Sequence, residues 1–192
     1  RFVSRVALQK VNNALPASYG AMTINNVTLI NVVGNQNLAG AATASTWYNK
    51  MGRKDGSTTS SHIIDGSTYL ASHPTLTFKS VESSVANGAS HTPSTPYLFY
   101  TFPNSTITDV CGWVSPFTAR KTRLVVAATI SGKKYYYPVV IDTPIRNYAY
   151  TVELTITGLG STDPDKPVSK GAINASVTVE GWATGSIYDE TI

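Results

Sequence analysis

The stretch IRNYAYTVELTITGLGSTDPDKPVSKGAINASVTVEGW, residues 145–182, decides the fold class. Tyr148, Tyr150, Val152, Leu154 and Ile156 fall on one side of an extended chain, and Ala149, Thr151, Glu153, Thr155 and Thr157 on the other. A period of two over ten residues predicts a β-strand with one buried face in preference to a helix. Gly158 and Gly160 close the strand, and Asp163, Pro164, Asp165 and Pro167 cannot extend a ladder, so a polar loop follows. Ala175 to Trp182 then returns as a second strand, rich in the Val and Thr that suit a pleated, half-buried surface.

Working outward, the same rhythm recurs. Ser131-Gly132 sits between Arg123–Ile130 and Lys134–Ile141, a strong two-residue hairpin signal. Its arms set Leu124, Val126, Ala128 and Ile130 against Tyr135, Tyr137, Val139 and Ile141. Tyr97 to Phe102 is apolar throughout and stops at Pro103-Asn104, which predicts a strand covered on both faces. Phe2–Val11, with Phe2, Val6 and Leu8 on one side, and Thr75–Val81 give two further strands. Met22–Val33 gives another, whose apolar phase slips across Asn25 and Asn26, the mark of a bulge. Between Gly34 and Ser72 the pattern dissolves into Gly, Ser, Thr and Asn, an irregular surface excursion with a short helix expected near Ser45–Met51. Seven or eight strands in 192 residues predict an all-β, Greek-key-like antiparallel sandwich carrying a long irregular insertion.

Composition narrows the function. The net charge is +4 and the pI about 9.1, but the 15 basic residues are scattered, which argues against nucleic acid as a partner. Only Arg120, Lys121 and Arg123, and Lys133 with Lys134, lie close together; a solvated strand end accounts for them as simply as a phosphate site would. Cys111 is the only cysteine, so no intrachain disulfide forms; beside Val110, Gly112, Trp113 and Val114 it reads as a small buried residue. The chain opens on Arg1 without a leader, which reads as a mature or truncated product, and no apolar run reaches membrane-spanning length.

Candidate chemistry is sparse. His62, His73 and His91 lie in polar stretches without metal-ligand spacing and read as solvated loop residues. Asp163 and Asp165 flank Pro164 as turn formers and lack the Gly-spaced ligand series of a calcium loop. No Gly-x-Ser-x-Gly elbow and no phosphate-binding glycine loop occurs, so no catalytic residue, cofactor or metal is expected. Trp47 and Tyr48, in the Ser/Thr-rich excursion, or the face of Tyr135 and Tyr137, are the candidates for stacking on a sugar ring, with Trp47 the one expected to be exposed. Asn26, Asn104 and Asn174 each match the N-glycosylation sequon.

One ordered set of motifs adds a resemblance. LFYTFPN (98–104), KYYYPVVI (134–141), Ile-Arg-Asn-x-x-Tyr (145–150), ITGLG (156–160) and a late Trp182 together resemble the carboxy-terminal domain of the fimbrillins, the subunits of type V pili of Bacteroides-like and Porphyromonas-like bacteria. The resemblance covers Tyr97 to Trp182 and extends to the opening RFVSRVALQKV. It implies a β-sandwich, export as a lipoprotein, a fimbrial location at the outer membrane, other pilin subunits as partners, and polymerisation by donor-strand exchange in cell adhesion. The chain is too short for the family's two domains and reads as one, residues 1–182, followed by a tail at 183–192. In that tail Ile187, Tyr188 and Ile192 are the expected donor-strand contacts, though adjacent Ile187 and Tyr188 alternate poorly and an ordinary frayed terminus is an equal reading. The alternative function is a cell-surface carbohydrate-binding or nutrient-capture module on a similar sandwich.

Overall fold

A computed structural model describes residues 2–36, 44, 46–49, 78–109, 111, 118–169 and 171–182. In chain order its strands are β1 (Ser4–Asn13), β2 (Met22–Ile30), β3 (Val32–Val33), β4 (Trp47–Tyr48), β5 (Phe78–Val85) and β6 (Ser90–His91). They continue with β7 (Tyr97–Thr101), β8 (Thr122–Ile130), β9 (Lys133–Ile141), β10 (Tyr148–Ile156) and β11 (Ile173–Gly181). Sheet A runs β11-β10-β1, with β6 and β7 sharing the far edge of β1; sheet B runs β5-β2-β8-β9; β3 and β4 form a two-stranded ribbon.

The alternation written in the sequence is what packs the two sheets. Val6, Leu8, Val11, Phe99, Tyr150, Val152, Leu154 and Ile156 of sheet A meet Ile24, Val27, Leu29, Leu124, Val126, Ala128 and Tyr137 of sheet B in one core. Fully burying a large apolar side chain of this kind contributes about 1.5–3 kcal/mol before chain entropy is counted. The chain is therefore an all-β sandwich, as its periodicity predicts. Both expected hairpins form, and in the Ser131-Gly132 one Leu124, Val126 and Ala128 face Val139, Tyr137 and Tyr135 as expected, with Ser131 and Gly132 at φ of 49° and 77°, the left-handed pair that suits the twist of a tight hairpin. The phase slip in β2 is a bulge at Asn25, where the register to both β8 and β5 shifts.

Other expectations are corrected. The sheets are not wholly antiparallel, because β1 runs parallel to β10 from Arg5–Ala149 to Asn13–Ile156. Nothing local encodes that pairing; β1 enters the middle of sheet A because its apolar face completes the core between β10 and β7. β1 begins at Ser4, and Phe2 is left 57% exposed instead of joining Val6 and Leu8. β5 spans Phe78–Val85 and so runs on past Val81, where the expected Thr75–Val81 strand ended; 75–77 lie outside the described residues. Within the expected helix at 45–51, Trp47 and Tyr48 are a strand paired with Val33 and Val32. β7 is covered on one face only, Phe99 being buried and Tyr100 exposed.

The loop after β10 is the least expected part of the core. Ser161 exchanges backbone hydrogen bonds with Tyr136 (2.8 and 3.0 Å), laying the loop across the edge of β9. A Cβ on Gly160 would stand 2.6 Å from the Tyr136 carbonyl and 2.9 Å from the Tyr137 ring, so only glycine lets the chain pass. Tyr137 then donates its hydroxyl to the Gly158 carbonyl at 3.0 Å, and burial holds its phenol well above the ordinary range. ITGLG is thus the clasp that seats this loop on sheet B.

Under the same loop lie Arg120 and Arg123, both buried. Asp165, with no exposed surface, accepts from Arg123 Nη1 at 2.6 Å and Arg120 Nη1 at 2.8 Å, and Arg123 Nη2 also pairs with Asp109. This overturns the reading of Arg120 and Arg123 as a solvated strand end; only Lys121, on exposed Asp142, behaves that way. Burial of two guanidinium groups is tolerable because the carboxylates bring the cluster near neutrality and accept hydrogen bonds from both of them.

Candidate functional site

The surface that differs most from an ordinary sandwich lies at the pole where β1 and β10 begin and β7 and β11 end. Three large apolar side chains besides Phe2 stand out there: Tyr100 (42% exposed), Ile145 (47%) and Tyr148 (38%). Local hydrogen bonds fix the backbone that carries Ile145 and leads into Tyr148. Ser4 donates its hydroxyl to the Ile145 carbonyl at 2.7 Å, the Ile145 amide donates to Tyr150 Oη at 3.0 Å, and the Asn147 amide donates to the Val3 carbonyl at 3.1 Å. The turn before β10 is thus pinned to the start of β1.

Trp182 finishes this pole. Its amide donates to the Asn147 carbonyl at 2.6 Å, which brings the indole over the outer face of sheet A. There it stacks on Tyr100, with centroids 6.0 Å apart and planes at 20°, while the Arg5 guanidinium lies 5.3 Å from the ring centroid. Arg5 and Tyr100 are register partners on β1 and β7, so both support the indole from the sheet. The motif residues Tyr100, Arg146-Asn147 and Trp182, distant in sequence, converge on one spot.

Beside Tyr100 opens an apolar cleft of about 230 Å³, formed by Val3, by Val32, Val33 and Tyr48 of the β3–β4 ribbon, and by Phe102. Here the sequence-based sugar candidates separate. Tyr48 lines the cleft. Trp47 is half-buried, with Nε1 donating to the Ala44 carbonyl at 3.2 Å, so it is not the open platform expected of it. Ile187, Tyr188 and Ile192 lie outside the described residues, as do His62 and His73 and most of the excursion.

The remaining chemical candidates have structural partners. His91 is not a solvated loop residue: it sits in β6, stacks on Tyr97 at 5.9 Å and 11°, and bridges Tyr97 Oη (2.9 Å) to Ser83 Oγ of β5 (3.0 Å), tying the sheets at one side. Burial depresses its pKa below the ordinary 6.5. Cys111 is exposed, against expectation, with Arg123 Nη2 donating to its sulfur at 3.1 Å. Asp163 Oδ1 accepts the Asp165 amide at 2.9 Å, closing the turn that aims Asp165 at the arginines. Asn26 and Asn104 are buried, the latter donating to the Arg120 carbonyl and Thr122 Oγ1, so two of the three sequons are inaccessible.

Neither a family model nor a curated protein sequence matches the chain. Solved structures do. A candidate cell adhesion protein from Bacteroides eggerthii is 19% identical and superimposes with a TM-score of 0.52 over 94% of this chain and 56% of its own. One from Parabacteroides distasonis gives 17%, 0.53, 95% and 52%. A fimbrilin from Porphyromonas gingivalis gives 13%, 0.54, 95% and 58%. The chain thus spans a little over half the length of each. At these identities the likeness is one of architecture, and its conclusion is that the chain has a fimbrillin-like β-sandwich fold.

Proposed function

We propose that the chain is a structural and adhesive subunit of a surface pilus, acting through contacts with other subunits and without catalysis. The observation that carries this reading is the fold: almost the whole chain superimposes on a fimbrilin and on candidate adhesion proteins. The aromatic and apolar pole around Tyr100, Ile145 and Tyr148 supports it, since exposed apolar patches on a packed domain mark sites of association. In this reading residues 1–182 form the sandwich and 183–192 supply the donor strand, with Ile187, Tyr188 and Ile192 entering a groove on the next subunit. Donor and acceptor are different surfaces, so the contact propagates into a filament instead of closing. The subunit belongs at the cell surface, in a fimbria anchored at the outer membrane.

Deletion of 183–192 tests the reading. The truncated chain keeps its circular dichroism spectrum and loses filaments in electron micrographs; filaments of unchanged length would overturn the donor assignment. A second reading, glycan capture, draws on Tyr48 in the open cleft beside exposed Tyr100. It expects glycan-array binding that Tyr48→Ala abolishes, and a blank array would remove it.

A further inference from the structure

We propose that β11 is a docking edge for a second copy of this chain, the two copies joining side by side through antiparallel β11–β11 pairing. This contact is separate from strand donation and does not depend on it.

Among the described residues the two large sheets have four margins, and three of these are obstructed. β5 carries Lys79 and a bulge at Glu82, whose φ is 46°. β9 contains Pro138 and is bonded by Ser161 of the clasp loop. The far margin of β1 is divided between β6 and β7, with Pro93 and Pro96 between them. These are the devices by which sheet edges resist association. β11 carries one charge, Glu180, and none of the other devices: nine residues pair with β10 without a register shift and no proline interrupts them.

The hydrogen-bond phase shows which groups are presented. At one end the Thr157 amide bonds the Ala172 carbonyl (2.9 Å), and at the other the Trp182 amide bonds the Asn147 carbonyl (2.6 Å). Bonded pairs alternate along an antiparallel ladder, so the even-numbered residues from Ala172 to Trp182 face β10. The amides and carbonyls of Ile173, Ala175, Val177 and Val179 therefore point away from the sheet, and among the described residues nothing pairs with them. Ile173, Ala175 and Val177 also pack on the core while only partly buried, and Val179 is 50% exposed, so the apolar layer reaches the margin unfinished.

A second copy of β11 fits what is missing. Antiparallel pairing about a two-fold axis at Val177 sets Val177 against itself, Ala175 against Val179, and Glu180 against Asn174. Apolar residues meet on the inner face and polar residues on the outer, and no like charges are opposed. Such an isologous contact closes after two copies, unlike a filament contact.

Light scattering on the full chain over a concentration series tests this. The chain dimerises. Val179→Pro removes an outward amide and none bonded to β10, and raises the dimer dissociation constant by roughly tenfold or more, because each variant copy loses its bond. Val179→Thr, which keeps the amide, dimerises as before. A second measurement holds even if the proline variant misfolds: in the unaltered chain, amide exchange at Ala175, Val177 and Val179 slows as concentration rises, while Ser176 and Thr178 do not change. A chain monomeric throughout, a folded Val179→Pro chain with unchanged dimerisation, or a dimer whose outward amides exchange as in the monomer would overturn the proposal.

Discussion

β8 and β11 are strands of nine residues, TRLVVAATI and INASVTVEG, with the same taste for Val, Ala and Thr, yet they live in opposite surroundings. Eight residues of β8 are buried, including Val125, Ala127 and Arg123 on the face turned away from the sandwich core. β11 has no buried residue, and its last four are exposed. Composition does not separate the two; place in the topology does. β8 lies between β2 and β9 with the clasp loop bonded across its neighbour, whereas β11 closes sheet A with one margin bare among the described residues. The difference teaches that stability and association are divided between the two sheets: sheet B is fastened by buried polar chemistry, and sheet A presents surface.

The largest test of that division is Asp165→Ala. It strands Arg120 and Arg123 under the loop, and removal of one partner from a buried ion pair costs about 3–5 kcal/mol. Urea unfolding should show the loss in full, and a change below about 1 kcal/mol would mean that water reaches the cluster. The second test is paired: Leu124→Ala in β8 should cost about 3 kcal/mol, and Val179→Ala in β11 less than about 0.5 kcal/mol. Equal costs would erase the contrast between the strands.

The smallest expected effect concerns the margin where His91 ties β6 to β5. Burial lowers its folded pKa, so as pH falls the unfolded chain takes up a proton before the folded one does. Its contribution is complete above pH 6.5 and declines below it toward the folded-state value. His91→Gln should flatten the slope of thermal midpoint against pH below about pH 6.5. An unchanged slope would assign it to other groups.

What was legible in the sequence was whatever a strand states about itself. The alternation in β10, the Ser131-Gly132 turn, the facing Leu124–Val139 pair and the slip at Asn25 depend on neighbours two to fifteen residues away, and each appears as read. Long-range partners left no such mark. Arg123 and Asp165 are 42 residues apart, and nothing near Asp165 distinguishes a turn-forming aspartate from one that also neutralises two guanidinium groups. The available hint was two arginines at the head of an otherwise apolar strand. Tyr100 was misjudged because an aromatic residue reads as core whichever face it occupies. The pole formed by Tyr100, Arg5 and Trp182 escaped for the same reason, since three strands contribute to it and no single segment shows it.

The parallel seam between β1 and β10 has a consequence for how the chain reaches its native state. Ser4 Oγ and the Ile145 carbonyl, bonded across that region, are 141 residues apart, so the central strand of sheet A waits for a partner made long after it. Pairings of such high sequence separation close late and slowly, because the loop entropy is lost before any contact repays it. During synthesis the first strand has β6 and β7 on one margin before β10 is made, and its other margin stays open to misassembly until then. The folding rate of this sandwich should follow the arrival of β10, and a circular permutant that joins β1 behind β11, close in sequence to β10, should fold faster without being more stable.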